Sequence, residues 1–267
     1  MPTTPSRTVN DLLSLRGRAA LITGATGHLG SAMADALAEA GASVIVSSRS
    51  IEDARSVASR LPRAEDVTHH AISMNQMDAE SIEQGFRDAE RQAGRIEVLV
   101  NNGHEALGAD WKSIDADQFN RQLANATGWF LLARRFREHA AANGGGGAVV
   151  MIGSMYGLVG SYPEVYEGVS AASSVAYQTL KGGVVQMTRH LAVSWAPDGV
   201  RVNCLSPGPF PSEKAPPALV ERLKAKSPME RMGRPEELKG ALVFLASDAS
   251  SYVTGHNLVV DGGWTAW

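Results

Sequence analysis

The chain has 267 residues, 44% hydrophobic and 20% charged, an ordinary globular composition with length for one or two domains. A net charge of −3 gives no electrostatic case for nucleic acid, and no apolar run approaches the roughly 18 residues of a membrane span. The opening MPTTPSRTVNDLL has neither a basic start nor an apolar core, so no signal peptide and a cytoplasmic location are expected; the single cysteine, Cys204, cannot form an internal disulfide.

Residues 1–15 read as an N-terminal extension. Ala19–Thr23 follows as a short buried strand and runs into Gly24-Ala25-Thr26-Gly27-His28-Leu29-Gly30. Ser31 to Ala40 then carries a helical pattern, with Met33 and Leu37 on its apolar side, and Ser43–Ser47 completes a βαβ unit. Strand, glycine turn and helix are the context a dinucleotide site requires: glycines let the backbone approach a pyrophosphate, and the helix N-terminus supplies free N–H groups. A glycine turn without a ligand has the same local pattern. Ser48 and Arg49 close the second strand. An acidic residue there would bind the ribose 2′-hydroxyl of NAD, whereas an Arg accommodates a 2′-phosphate. With no Asp or Glu before Glu52, Arg49 favours NADP(H) over NAD(H), unless it is a solvated loop charge.

Further strands are predicted at Val67–Ile72, Val98–Asn101, Ala148–Ile152, Val200–Leu205 and Asn257–Val260, with helices between them that include Ala79–Gln92, Asp115–Ala142 and Ser173–Trp195. This alternation, without a long linker, predicts one α/β domain: a Rossmann-like, doubly wound parallel sheet of about seven strands with helices on both faces. His69 and His70 are adjacent in a strand and so point to opposite faces, with no Cys, Asp or Glu cluster at ligand spacing. No metal is expected there, and the pair reads as solvent-exposed or at a sheet edge. Cys204 reads as a small core residue. His28 and His104 fall in loops at the carboxyl ends of strands, as ligand contacts or plain loop residues. Residues 209–230, charged and proline-containing, follow the sixth strand, where open α/β sheets place ligand-covering loops.

Tyr177 and Lys181 form a Tyr-x-x-x-Lys pair on a predicted helix, one turn apart on one face. A free tyrosine, with a pKa of about 10, is a poor base at neutral pH, and a nearby ammonium favours its phenolate. The pair could then pass a proton to or from a carbonyl or alcohol oxygen. Taken alone, the same spacing describes a surface helix with a solvated lysine.

The glycine turn and this pair together resemble the short-chain dehydrogenase/reductases, in their short single-domain branch, over about Leu15 to Trp264. Supporting stretches are Gly94 to Asn102, Asn125-Ala126-Thr127-Gly128, Ile152-Gly153-Ser154, Arg201 to Gly208, Val253-Thr254-Gly255 and Asp261-Gly262-Gly263. The resemblance implies a hydride transfer between a nicotinamide cofactor and a small-molecule carbonyl/alcohol pair. Tyr177 would be the general acid/base, and Lys181 would lower its pKa and hold the nicotinamide ribose. Ser154 would hydrogen-bond the substrate oxygen, and Asn125 would order a water linking Lys181 to solvent. The cofactor would meet Gly24, Thr26, His28, Leu29, Gly30, Ser48, Arg49, Asn75, Gln76, Asn102, Gly103, Pro207, Gly208, Phe210 and Ser212. The substrate would meet Ser154, Tyr156, Tyr166 and Tyr177.

Three departures stand out. The branch usually has Gly-x-x-x-Gly-x-Gly, whereas here the glycines are Gly24, Gly27 and Gly30, with His28 at the usual second position. The usual Asn-Asn-Ala-Gly is Asn101-Asn102-Gly103-His104. Ser154 and Tyr177 are 177 − 154 = 23 positions apart, about ten more than usual for the resembled family; the extra residues make 157–174 an extended loop expected beside the substrate. Its polar and acidic character, near Tyr162, Glu164, Tyr166 and Glu167, suggests a hydroxylated or sugar-like substrate over a fatty acyl chain, and the stretch resembles relatives in bacterial nonulosonate pathways and, more loosely, gluconate 5-dehydrogenases. A surface or subunit-contact ornament is the other reading of that loop. Two rival functions remain open: a drifted nucleotide-binding or sensing protein, and a sugar-nucleotide epimerase or dehydratase, suggested by the glycine spacing. The family commonly packs its last strand across a two-fold axis. Two tryptophans near the chain end, Trp264 and Trp267, therefore suggest a homotetramer, unless Trp264 covers its own core and Trp267 frays.

Overall fold

The computed structural model describes residues 6–64 and 67–267. Helix α1 (Val9–Leu13), capped by Thr8, lies in the expected N-terminal extension. The chain then alternates through β1 (Ala19–Thr23), α2 (His28–Glu39), β2 (Ser43–Ser48), α3 (Ile51–Arg60), β3 (His70–Ser73), α4 (Ala79–Ala93), β4 (Val98–Asn101), α5 (Ala116–Ala142) and β5 (Gly147–Ile152). It continues through α6 (Pro163–Tyr166), α7 (Val175–Trp195), β6 (Val200–Pro207), α8 (Pro217–Lys224), α9 (Lys239–Ala246) and β7 (Asn257–Val260). The seven strands form one sheet in the order β3-β2-β1-β4-β5-β6-β7, and every pair is parallel.

Strand alternation splits the core in two. Leu21, Leu99, Val149 and Met151 face one layer, packing with Phe86, Trp129, Phe136 and Val184 from α4, α5 and α7. Their neighbours Ile22, Val100, Val150 and Ile152 face the other, with Met33 and Leu37 of α2, Val57 of α3 and Leu242 of α9. Strands buried on both faces read as nearly continuous apolar runs, which is why β1, β2, β4 and β5 are visible in the sequence. Cys204 lies fully buried in the first of these layers, as its strand position suggests. Among the described residues, no helix is long and apolar enough to cross a membrane.

Most boundaries fall within two residues of expectation, and two differ by three: the starts of β3 and α2. The third strand begins at His70 rather than Val67. The His69 imidazole explains this: Nδ1 accepts from the Val44 N–H (3.1 Å) and Nε2 donates to the Pro62 carbonyl (2.9 Å), so a side chain takes the donor that a longer ladder would use. His69 is therefore buried at the sheet edge rather than solvent-exposed, while His70 begins the ladder opposite Ile45. Helix α2 begins at His28 instead of Ser31, with Gly27 as its N-cap. His28 is thus the first helical residue and not a loop residue.

The strand order turns back between β1 and β4, whose following helices α2 and α5 pack on opposite faces of the sheet. Doubly wound sheets bind ligands in the crevice this creates.

Candidate active site

The glycine turn after β1 is folded tightly against its neighbours. Gly24 has φ +66°, and a Cβ there would stand 2.5 Å from the Gly103 Cα; a Cβ on Gly30 would stand 2.0 Å from the Gly24 carbonyl oxygen. No larger residue fits either position without moving backbone. Asn102 braces the turn: its Nδ2 donates to the carbonyls of Thr23 (2.9 Å) and Gly24 (3.0 Å). Thr23 Oγ1 in return accepts the N–H groups of Asn102 (3.0 Å) and Gly103 (2.9 Å). His28 is exposed in the first turn of α2.

The turn opens on a cleft of ≈ 740 Å³. Its walls take in Gly24, Thr26, His28, Leu29 and Gly30, then Ser48 and Arg49 at the end of β2. Asn75 and Gln76 follow β3, Asn102 and Gly103 follow β4, and Phe210 and Ser212 follow β6. Pro207 and Gly208 stand back from it. Pro207 is buried in β6 opposite Val260, and the Gly208 N–H donates to the Val260 carbonyl (2.9 Å). The residues fit a dinucleotide: a tight glycine turn at the N-terminus of a 12-residue helix, with an exposed cation at the end of β2. The Arg49 side chain is 75% exposed, and its guanidinium stands 3.9 Å from the Glu105 carboxylate.

The reacting centre is built at the carboxyl end of β5 and the start of α7. Ser154, 8% exposed, ends β5 and accepts the Tyr156 N–H on its Oγ (3.2 Å). Tyr177 lies in the first turn of α7, which Ser174 caps. Burial pushes the Tyr177 phenol up, a hydrogen bond with Ser154 pulls it down, and Tyr166 adds to the rise. Lys181, one turn later, is 3% exposed; its Nζ donates to the Ile152 carbonyl (2.7 Å) and lies over the Trp129 ring (4.7 Å to the centroid). The ammonium bonds the Ile152 carbonyl and stands 5.6 Å from the centre of the Tyr177 ring. Burial lowers the lysine itself, to about 8, against an upward push from Cys204.

Asn125 is fully buried on α5, and its side chain is committed to protein. Oδ1 accepts from the Glu105 N–H (2.7 Å) and Gln76 Nε2 (3.2 Å), and Nδ2 donates to the carbonyls of Glu105 (3.1 Å) and Gln122 (2.9 Å). It fastens the loop after β4 to α5. The same loop is tied by Trp129 Nε1 to the Gly103 carbonyl (2.7 Å), by the Leu107 N–H to Gln122 Oε1 (3.1 Å), and by a two-pronged Arg121–Glu105 pair (2.6 and 2.9 Å). That guanidinium holds the Glu105 carboxyl below its usual range.

The extended loop folds back over this centre. The Tyr156 and Tyr166 hydroxyls are hydrogen-bonded to each other, and burial raises both phenols. Tyr166 and Tyr177 both pack against the apolar cluster that holds Tyr156, which brings the three rings together. Helix α6, inside the loop, is clasped to α8: Arg222 donates to the carbonyls of Glu164 (3.4 Å), Val165 (3.2 Å) and Glu167 (2.7 Å), and Lys226 pairs with Glu164 (2.9 Å). Beneath them Met155, Tyr156, Val165, Leu223 and Trp264 form a third apolar cluster. Trp264 is 2% exposed within this chain, so it is a core residue of its own subunit and not a free interface anchor; Trp267 is 72% exposed.

Two residues near the chemistry were not legible as such. Trp129, in the middle of α5, looks like any core aromatic, and nothing in the local pattern signals that it would lie against Lys181. His104 was ambiguous in the sequence. In the structure its ring stands 5.8 Å from the Tyr177 ring, centroid to centroid, and faces the cleft. Its signal was chemical: an imidazole where the resembled pattern has a residue with no side chain.

Residues 24–265 match the family model described as "Enoyl-(Acyl carrier protein) reductase". The chain is also 32% identical to the solved structure of a short-chain type dehydrogenase/reductase from Mycobacterium marinum, with a TM-score of 0.86 over 98% of this chain and 100% of that one. The chain belongs to the short-chain dehydrogenase/reductases. Within that family it is 37% identical to galactitol 2-dehydrogenase (L-tagatose-forming) of Cereibacter sphaeroides, over 95% of this chain and 97% of the relative. It is 30% identical to a gluconate 5-dehydrogenase from Burkholderia cenocepacia J2315 solved in complex with NADP and tartrate, with a TM-score of 0.87 over 97% and 100% of the two chains. As a short-chain dehydrogenase/reductase, the protein is an NAD(P)-dependent oxidoreductase acting on a CH–OH/C=O pair. The drifted-sensor and sugar-nucleotide epimerase readings are not favoured.

Proposed function

We propose that this enzyme interconverts a polyhydroxylated alcohol and its ketone, with NADP(H) preferred over NAD(H). The observation that carries the substrate class is the pair of hydrogen-bonded phenols, Tyr156 before the extended loop and Tyr166 within it, packed together with Tyr177. A wall of hydroxyl groups suits a substrate with several hydroxyls better than an alkyl or acyl chain. The printed names of the galactitol and gluconate relatives support the same class. In this reading residues 157–174 border the substrate and residues 209–230 cover it.

A bound nicotinamide supplies the hydride in reduction and accepts it in oxidation. In reduction, Ser154 holds the carbonyl oxygen and Tyr177, kept protonated by burial, gives that oxygen its proton. Negative charge grows on the oxygen only as the hydride arrives, so these two donors act where they lower the barrier. Lys181, with its ammonium anchored on the Ile152 carbonyl, is placed to hold the nicotinamide ribose. Asn125 acts as a positioning residue through the loop it fastens rather than on the reacting atoms.

Turnover of a panel of hexitols, pentitols, simple secondary alcohols and β-hydroxyacyl thioesters with NADP+ tests the substrate class. Polyols are expected to give the highest kcat/KM; a thioester ahead of every polyol would end this reading. We further propose a homotetramer in a cytoplasmic setting, Val193, Tyr252 and Trp267 being large exposed apolar side chains that subunit contacts would cover. A light-scattering mass near that of one 28.3 kDa chain would contradict it.

The cofactor preference is assigned to Arg49. Arg49→Asp removes the cation expected beside a 2′-phosphate and offers an acceptor to a 2′-hydroxyl. The ratio of kcat/KM for NADPH over NADH is expected to fall at least about tenfold, the loss of one charge-assisted contact. An unmoved ratio would mean that Arg49 does not face the adenosine ribose.

A further inference from the structure

We propose that His104 is a specificity-determining residue, its imidazole hydrogen-bonding a hydroxyl on the substrate carbon next to the reacting one. The inference rests on the polyol reading and deepens it. Three observations on this side chain carry it.

The first is place. The His104 ring is solvent-accessible in the cleft and lies against the ring of Tyr177, whose hydroxyl meets the reacting oxygen in the proposed mechanism. A substrate held by that oxygen presents its neighbouring substituents to whatever flanks Tyr177. The second is availability. Among the described residues, neither imidazole nitrogen has a protein hydrogen-bond partner, whereas His69 and His139 both spend their ring nitrogens on protein groups. The third is rigidity. The residues on either side are pinned: Gly103 through Thr23 and Trp129, and Glu105 through Asn125 and Arg121. The imidazole is thus carried on a fixed backbone while contributing nothing to fixing it.

Its chemistry suits the role. The crowded cleft and the Lys181 ammonium lower its pKa to about 4, so at neutral pH it is an uncharged ring with one donor and one acceptor. A substrate hydroxyl, itself both donor and acceptor, pairs with either nitrogen. Being neutral, the ring adds no cation beside Lys181.

The test compares butane-2,3-diol with butan-2-ol, which share a carbon skeleton and differ in the neighbouring hydroxyl. In the wild type the diol is expected to have the higher kcat/KM. In His104→Ala the diol/monoalcohol ratio of kcat/KM is expected to fall about tenfold, one neutral hydrogen bond's worth of discrimination. The change should lie mainly in KM for the diol. His104→Asn, which keeps a donor and an acceptor, should restore most of the ratio, and NADPH affinity by fluorescence should be the same in all three proteins. A ratio unmoved in His104→Ala, or an equal loss on both alcohols, would overturn this inference alone. A wild type that prefers the monoalcohol would overturn the polyol reading, and the inference with it.

Discussion

Tyr177→Phe is expected to lower kcat at least about a hundredfold while the protein melts at or near the wild-type temperature. The substitution removes one hydroxyl, and a positioned general acid contributes about 10²–10⁴-fold to the rate. The ring it leaves behind still packs against the cluster of Met155, Tyr156 and Trp264. The hydroxyl's partner is Ser154, itself able to turn to its other neighbours, so the packing cost is small. Steady-state kinetics beside a thermal melt checks both halves. Activity within tenfold of wild type would remove Tyr177 from the proton-transfer role, and a large drop in melting temperature would mean that the lost rate reports unfolding.

The second large effect concerns stability. Lys181 titrates at about 8 in the fold against 10.5 when free, because burial disfavours its ammonium. Between those two values the unfolded chain binds more protons than the folded one, so folding gains as pH rises through the window. Below pH 8 the full cost of the buried ammonium is present; above 10.5 it is gone. Lys181→Met lacks the titration altogether. Urea melts of both proteins should therefore show the wild type gaining on the variant by about 2–3 kcal/mol between pH 7 and pH 10. The loss of the bond to the Ile152 carbonyl affects the variant at every pH and drops out of that comparison. A difference that stays flat across the window would mean that the ammonium is as well solvated in the fold as in water. The site accepts this cost to keep a cation beside the reacting centre.

The strands were largely legible because a sheet buried on both faces writes itself as short apolar runs, and β1, β2, β4 and β5 are such runs. The start of the edge strand β3 was not, because the bond to Val44 there is made by the His69 side chain, which no apolar pattern encodes. The same division holds in the site. Ser154, Tyr177 and Lys181 were readable because spacing on a helix and position after a strand determine where they meet. The direction of the lysine was not readable, since it depends on the Ile152 carbonyl and the Trp129 ring, which arrive from β5 and α5. The place of Trp264 stayed open for a related reason. A tryptophan near a chain end looks surplus until α8 and the extended loop close over it.

The way the loop after β4 is fastened has a consequence for how this enzyme can change. Its bonds run through the backbones of Gly103, Glu105 and Leu107 and through the side chain of Glu105, while the side chain at 104 holds nothing in place. A mutation there alters what the substrate meets without asking the scaffold to adjust. Position 104 is therefore a dial that selection, in nature or in a library, can turn one residue at a time, with new substrates reached at little risk to folding.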